Sequence, residues 1–229
     1  LNRFIMGAPG VGKTTLAKLY AQILSEGGLL SKGNIIVKTA SALIGDHTGE
    51  SEEKTTQALE EAKGGILIIA NAHMLYKDCS DGEDTDAHRQ GIIDTLAANV
   101  SGEPDEDRSV ILCGYAEELE KMVLNANQGL QRRFPLEYAI KLDSYTDDEL
   151  CQILDKMMTA GDGVTASEQS LKVARCMLSR MRTGPKFGNA SAVQNLLVQA
   201  KIRRMRRLKN ASIAFADMQL YEITAKDFD

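Results

Sequence analysis

"RFIMGAPGVGKTTLAKLYAQILS", residues 3–25, is the stretch whose reading decides the fold. It opens on a short apolar run, Arg3–Met6. It then fits G-x-x-x-x-G-K-[ST] at every position of Gly7-Ala8-Pro9-Gly10-Val11-Gly12-Lys13-Thr14 and continues as an amphipathic helical pattern over Thr14–Ser25. A strand, a glycine-rich turn and a helix in that order make a phosphate-binding loop. The glycines let backbone N–H groups curl around phosphates, and the positive end of the helix favours the anion. Lys13 is expected to reach the β- and γ-phosphates, the Thr14 hydroxyl to ligand Mg²⁺, and Gly7 to Thr15 together to hold ATP.

Working outward, further apolar runs follow at Asn34–Thr39, Ile66–Ala70, Val110–Cys113 and Tyr138–Leu142. Helical patterns such as Ser51–Lys63 lie between them. This alternation predicts βαβ units, hence an α/β class with a five-stranded parallel sheet covered by helices. After Leu142 the strand signals stop. Thr146-Asp147-Asp148-Glu149 and Thr165-Ala166-Ser167-Glu168 both read as capping boxes. Asn189 is placed to cap a third helix, whose buried face would carry Val193, Leu196, Leu197 and Ala200. The expected organisation is therefore an α/β nucleotide-binding subdomain over 1–142 and a small all-α lid over 143–229.

Charge changes at the same place. Residues 1–142 hold 14 Lys/Arg against 21 Asp/Glu, whereas residues 143–229 hold 13 against 11. No apolar run is long enough to span a bilayer and no signal-peptide pattern is present; the expected setting is intracellular, cytoplasmic or nuclear, with an organelle as the further alternative. The chain starts at Leu1 without an initiator Met and reads as a piece of a longer polypeptide. Cys79, Cys113, Cys151 and Cys176 are scattered with no C-x-x-C pair, and the three histidines lack ligand spacing, so reduced thiols are the reading rather than zinc. Two acidic loops, Asp78–Asp86 and Glu103–Asp107, read as solvated connections, with a cation site the lesser reading.

With these segments placed, the chain resembles the CbxX/CfqX family of AAA+ ATPases, a group that includes the red-type Rubisco activases. The resemblance rests on Gly7–Thr15, "LIGDHTGESEEKT" at 43–55, "GGILIIANAHMLY" at 64–76, "VILCGY" at 110–115, "GLQRRFP" at 129–135 and "FGNASAVQNLL" at 187–197. The pattern also looks like that of tandem-domain fungal members. The resemblance implies a wedge-shaped ATPase domain with a helical lid, assembled with neighbouring AAA+ domains into hexameric rings that remodel protein substrates.

Several positions depart from that pattern. The strand that should end in Asp-Glu ends in Ala70-Asn71. The Asp would hold the Mg²⁺ hydration shell and the Glu would accept a proton from water. Asn71 can orient a water but cannot take its proton, a loss of about 10²–10⁴ in rate. His73 lies two residues on and reads as a satisfied loop or core histidine, with a substitute base as the lesser reading. Ser191 stands where relatives carry an Arg on the γ-phosphate, and Gln194 replaces a second Arg. His47 takes the place of a pore-loop aromatic, and Tyr115 falls near the sensor-1 position and offers a hydroxyl. By resemblance, Arg133, with Arg132 beside it, supplies an arginine finger to a neighbour's γ-phosphate.

Six of the nine residues Lys201–Lys209 are basic. The run closes a predicted helix, where the dipole favours cations, and no aromatic interleaves it, so a nucleic-acid surface is the lesser reading. The sequence thus points to an AAA+ module that binds ATP·Mg²⁺ and hydrolyses it weakly or not at all within a larger assembly. The alternatives are an active AAA+ motor and a protein- or RNA-binding scaffold working through the basic helix.

Overall fold

The computed structural model describes residues 1–76, 87–101, 106–125, 128–160, 164–184, 187–210 and 222–228. The chain divides into two compact units, one formed by Leu1–Gly7 with Gly12–Leu142, the other by Ala8–Val11 with Asp143–Asp229.

In the first unit, β1 (Arg3–Gly7), β2 (Ile35–Thr39), β3 (Ile66–Ala70), β4 (Ser109–Gly114) and β5 (Ile140–Leu142) form one sheet in the order β2-β3-β4-β1-β5. Every pairing is parallel. The central strands are buried on both faces, which is why they read as unbroken apolar runs. Successive side chains alternate between two cores. Phe4, Met6, Leu67, Ile69, Val110 and Leu112 face one core. That core is completed from α2 (Ala40–Leu43), α3 (Glu50–Glu61), α4 (Ala87–Asn99), α5 (Ala116–Asn125) and α6 (Gln128–Arg133). Ile5, Ile66, Ile68, Ile111 and Cys113 face the other, against Ala17, Ala21 and Leu24 of α1 (Lys13–Glu26).

The register sets the site. Met6 lies opposite Gly114, and Leu112 lies opposite both Phe4 and Ile69. The carboxyl ends of β1, β3 and β4 therefore emerge along one edge, where open α/β sheets bind ligands. That edge carries Gly7, Asn71 and Tyr115. The segment expected to begin its strand at Tyr138 instead makes a 3₁₀ turn over Leu136–Tyr138 before β5. Pro135 supplies no N–H, and the Tyr138 and Ala139 amides turn back onto the carbonyls of Pro135 and Leu136.

The second unit packs α7 (Asp147–Ala160), α8 (Glu168–Arg182), α9 (Ala190–Asn210) and α10 (Ala225–Phe228) around one core. Leu150, Leu154, Ala174, Leu178, Val193, Leu197, Ala200 and Phe228 are all buried there. Thr146 caps α7 as a reciprocal box: its amide donates to Glu149 Oε2 at 2.8 Å, and the Glu149 amide donates to Thr146 Oγ1 at 3.3 Å.

Three expectations for this unit need correction. It is not wholly helical, because β6 (Thr165–Ala166) pairs in parallel with β7 (Glu222–Ile223). Thr165 is drawn into that ladder, so the cap of α8 is Ser167, whose hydroxyl accepts from the Ser170 amide at 3.2 Å. Asn189 does not cap α9 through its side chain, which is engaged elsewhere; its main-chain carbonyl accepts from Ala192 and Val193.

Candidate functional site

The first unit holds Gly7 and the start of α1. α1 begins at Lys13 directly after Gly12, whose φ of 91° is a left-handed conformation open to glycine. Lys13 Nζ donates to the Gly7 carbonyl at 2.8 Å and lies 5.1 Å from the centroid of the Tyr115 ring. Burial lowers the Lys13 pKa from its ordinary value. Thr14 is half-buried and Thr15 exposed. Behind them, burial pushes the Cys113 thiol up to about 12, so it stays protonated and takes no part in ionic chemistry.

At the end of β3 the backbone turns sharply. Asn71 has φ 55° and is exposed, and a 3₁₀ turn follows over Ala72–Leu75. Asn tolerates this left-handed conformation better than most residues. His73 in that turn stacks on Tyr115, with 4.0 Å between ring centroids and 26° between planes. Its Nδ1 is buried without a hydrogen-bond partner among the described residues. Burial lowers the His73 pKa, and the Lys13 charge adds to the effect while Glu118 opposes it, so the ring is neutral near pH 7. The structure thus brings Lys13, Tyr115 and His73 into one cluster.

Within the second unit, Ala8–Val11 is held by that unit's own residues. Asn189 is fully buried. Its side-chain amide donates to the Pro9 carbonyl at 3.0 Å, and its Oδ1 accepts from the Tyr145 amide at 3.0 Å. The Tyr145 hydroxyl donates to the Val11 carbonyl at 2.9 Å, and the Ala190 amide donates to the Gly10 carbonyl at 3.2 Å. Gly10 has φ 70°, and a Cβ there would collide with the Gly188 carbonyl and lie 3.0 Å from Ser191 Oγ. The loop crest is therefore fixed by hydrogen bonds at three of its residues, Pro9, Gly10 and Val11. Asn189 and Tyr145 are site residues that pattern reading missed. Asn189 looked like a helix cap, and nothing local marks a side chain that bonds 180 residues away.

The remaining candidates are spread apart. Arg133 of α6 is half-buried and donates through Nη1 to the Gly129 carbonyl at 3.0 Å and through Nε to the Val100 carbonyl. Arg132 is exposed. Ser191 is exposed on the first turn of α9. His47 is exposed in a turn organised by Glu50, whose carboxylate accepts from the amides of Asp46 and His47. Of the basic run, Arg207 is committed to Asp227 at 2.9 Å and Arg203 to main-chain carbonyls of Asp227 and Phe228. The first acidic loop, Asp78–Asp86, lies outside the described residues. In the second, Glu106 pairs with Arg108 at 2.7 Å and Asp107 accepts from Ser31. Among the described residues no group of three or more His, Cys, Asp or Glu is placed to hold a metal ion.

A parallel sheet with a phosphate loop at the end of β1, followed by a separate helical unit, defines a P-loop nucleotide hydrolase class with a lid. Comparison with known proteins agrees. Residues 4–142 match the model of the ATPase family associated with various cellular activities (AAA), and residues 146–229 match the AAA lid domain. The chain belongs to the AAA family. It is 33% identical over 228 residues to chromosomal protein CbxX of Cupriavidus necator, covering 99% of this chain and 69% of that protein. It is 30% identical over 227 residues to protein CbbX of Cereibacter sphaeroides, covering 99% and 71%. It is also 32% identical over 221 residues to the ESX-1 secretion system protein EccA1 of Mycobacterium tuberculosis, where the match covers 95% of this chain and 36% of EccA1. No helix among the described residues is long and apolar enough to cross a membrane.

Proposed function

We propose that this chain is an AAA module that binds ATP with Mg²⁺, hydrolyses it slowly or not at all, and works with neighbouring AAA domains inside a cell to remodel a protein. Its working parts are a nucleotide-binding unit ending at Leu142 and a lid beginning at Asp143. The observation that carries the reading is an asymmetry at one sheet edge. The loop and Lys13 are in place at the end of β1, while β3 ends in Ala70 and an exposed Asn71.

The residues fit a bound nucleotide. The positive φ of Gly10 and Gly12 bends the loop as a phosphate cradle requires, and the start of α1 adds the positive end of the helix. For Mg²⁺ the fit is thinner, since Thr14 offers one hydroxyl and position 70 no carboxylate. The ion would arrive with the triphosphate and neutralise its charge. Asn71 can hold a water but has no basic oxygen to receive its proton, which is why turnover is expected to be slow. Arg132, presented to solvent, and Arg133 beside it supply cationic groups for a neighbour's γ-phosphate.

Calorimetry with ATP and Mg²⁺ tests the reading. The intact chain should bind, and Lys13→Ala should weaken binding by roughly tenfold or more, the loss of a charge-assisted contact to phosphate. A flat titration for the intact chain would rule the reading out.

A further inference from the structure

A half-buried ammonium needs compensation when its phosphate ligand is away, because burying a charge without partners is costly. In this chain β3 supplies no carboxylate at its end, since Ala70 and Asn71 stand there. Lys13 meets the Gly7 carbonyl at 2.8 Å and the ring of Tyr115 at 5.1 Å among its contacts. The distance lies within the range in which an aromatic quadrupole attracts a cation. Tyr115 is itself held: it follows the last residue of β4, and its ring stacks on His73 at 4.0 Å. His73 is fixed in turn by the tight 3₁₀ turn after Asn71, where the His73 amide sits so close to Gly114 that a Cβ there would lie 3.0 Å from it.

We infer that the ring face of Tyr115, braced by His73, is a positioning element for Lys13 in this degenerate site. The role belongs to the ring and not to the hydroxyl. It rests on the proposed nucleotide reading, because the benefit of a preset Lys13 is realised on binding phosphate. Preorganisation of this kind raises affinity by removing the cost of ordering a long, flexible side chain. The neutral state of His73 fits the arrangement, since an imidazolium against the same ring would compete with the ammonium for its negative face.

The test uses the full chain with ATP as the probe. Tyr115→Phe and a series of ring-fluorinated phenylalanines at 115 keep the shape while draining negative charge from the ring face. Tyr115→Phe should bind ATP within about twofold of the unaltered chain, and affinity should fall with each fluorine to roughly three- to tenfold weaker. The series should flatten in a Lys13→Ala background. Without nucleotide, the Lys13 Hε protons should be shifted upfield by the ring current, and Tyr115→Leu should abolish the shift. A flat fluorine series overturns the inference. So does Tyr115→Phe binding as poorly as Tyr115→Leu, which would assign the role to the hydroxyl. Normal ATP affinity without the upfield shift overturns this role alone. No ATP binding by the unaltered chain overturns the nucleotide site and this role with it.

Discussion

The side-chain amide of Asn189 donates to the carbonyl of Pro9 at 3.0 Å, joining two residues of one compact unit that are 180 positions apart in the chain. The same side chain accepts from Tyr145, so a single buried amide ties the loop crest to the segment before α7. Asn189→Ala removes the partner of the Pro9 carbonyl and the Tyr145 amide, both part-buried hydrogen bonds worth about 0.5–1.5 kcal/mol each. It also places alanine at φ 47°, where asparagine is better tolerated. The expected result is a lowered thermal midpoint and weaker ATP binding. An unchanged ATP affinity would show that the crest holds its shape without Asn189.

Hydrolysis by the unaltered chain should fall well below about 1 s⁻¹, the low end of ordinary enzyme turnover. Installing Ala70→Asp together with Asn71→Glu should raise it by about 10²–10⁴, the usual contribution of a positioned base. Position 71 has φ 55°, so the glutamate carries a backbone cost of about 1 kcal/mol and the gain should be accompanied by a lower thermal midpoint. Fast turnover without the two acids would show that another group does their work.

A guanidinium stabilises the charge spread over a transferring phosphoryl group, worth about 10³–10⁵ in rate when supplied by a neighbour. Arg132 is free to play that part, whereas Arg133 is bonded to Val100 and Gly129 and must be released first. In an assembly reconstituted with an AAA partner that retains both acids, Arg132→Ala with Arg133→Ala should lower the partner's turnover by about 10³ or more. Size-exclusion profiles should be unaltered. Undiminished turnover in the double variant would leave this chain with a structural role only.

His73 gives the fold a pH dependence of defined sign. Burial holds its folded pKa below the ordinary value, so between the two values the unfolded chain binds more protons than the folded one. Stability should therefore decline as pH falls below about 6.5, a decline complete once the folded pKa is passed. His73→Phe keeps a ring against Tyr115 and removes the proton. Melting curves between about pH 5 and 7.5 should diverge, the variant losing less on acidification. Parallel curves would place His73 in a better-solvated setting.

Arg207 and Asp227 hold the end of the chain to α9. Asp227 is almost fully buried; burial alone would raise its pKa, but hydrogen bonds from Arg207 and Thr224 hold it below the usual carboxylate value. Arg207→Met should strand that carboxylate and cost about 3 kcal/mol, read from denaturant unfolding of the full chain. A loss under about 0.5 kcal/mol, the range of ordinary surface changes, would mean that solvent takes over from Arg207.

Much of this was legible along the chain. The runs Ile66–Ile69 and Val110–Cys113 announce buried parallel strands, because both faces of such strands must be apolar. The phosphate loop and the Thr146 capping box were readable because each is closed within a few residues. The strand near Tyr138 began later than expected, where Pro135 and a 3₁₀ turn intervene. Thr165 was drawn from its capping role into a ladder with Glu222, a partner 57 residues away that local chemistry cannot announce.

The sequence by itself determined the chemistry on offer. It specified a glycine-rich loop, a lysine at the loop's end, and neither acid at the end of the third strand, since each follows from residue identity in a local pattern. The tertiary structure decided how those groups are held. Asn189 ties Pro9, Tyr115 and His73 brace Lys13, and Val100 with Gly129 engages Arg133. Most of these pairings join segments far apart in the chain, and only the packing within each unit brings their atoms within hydrogen-bonding or stacking distance.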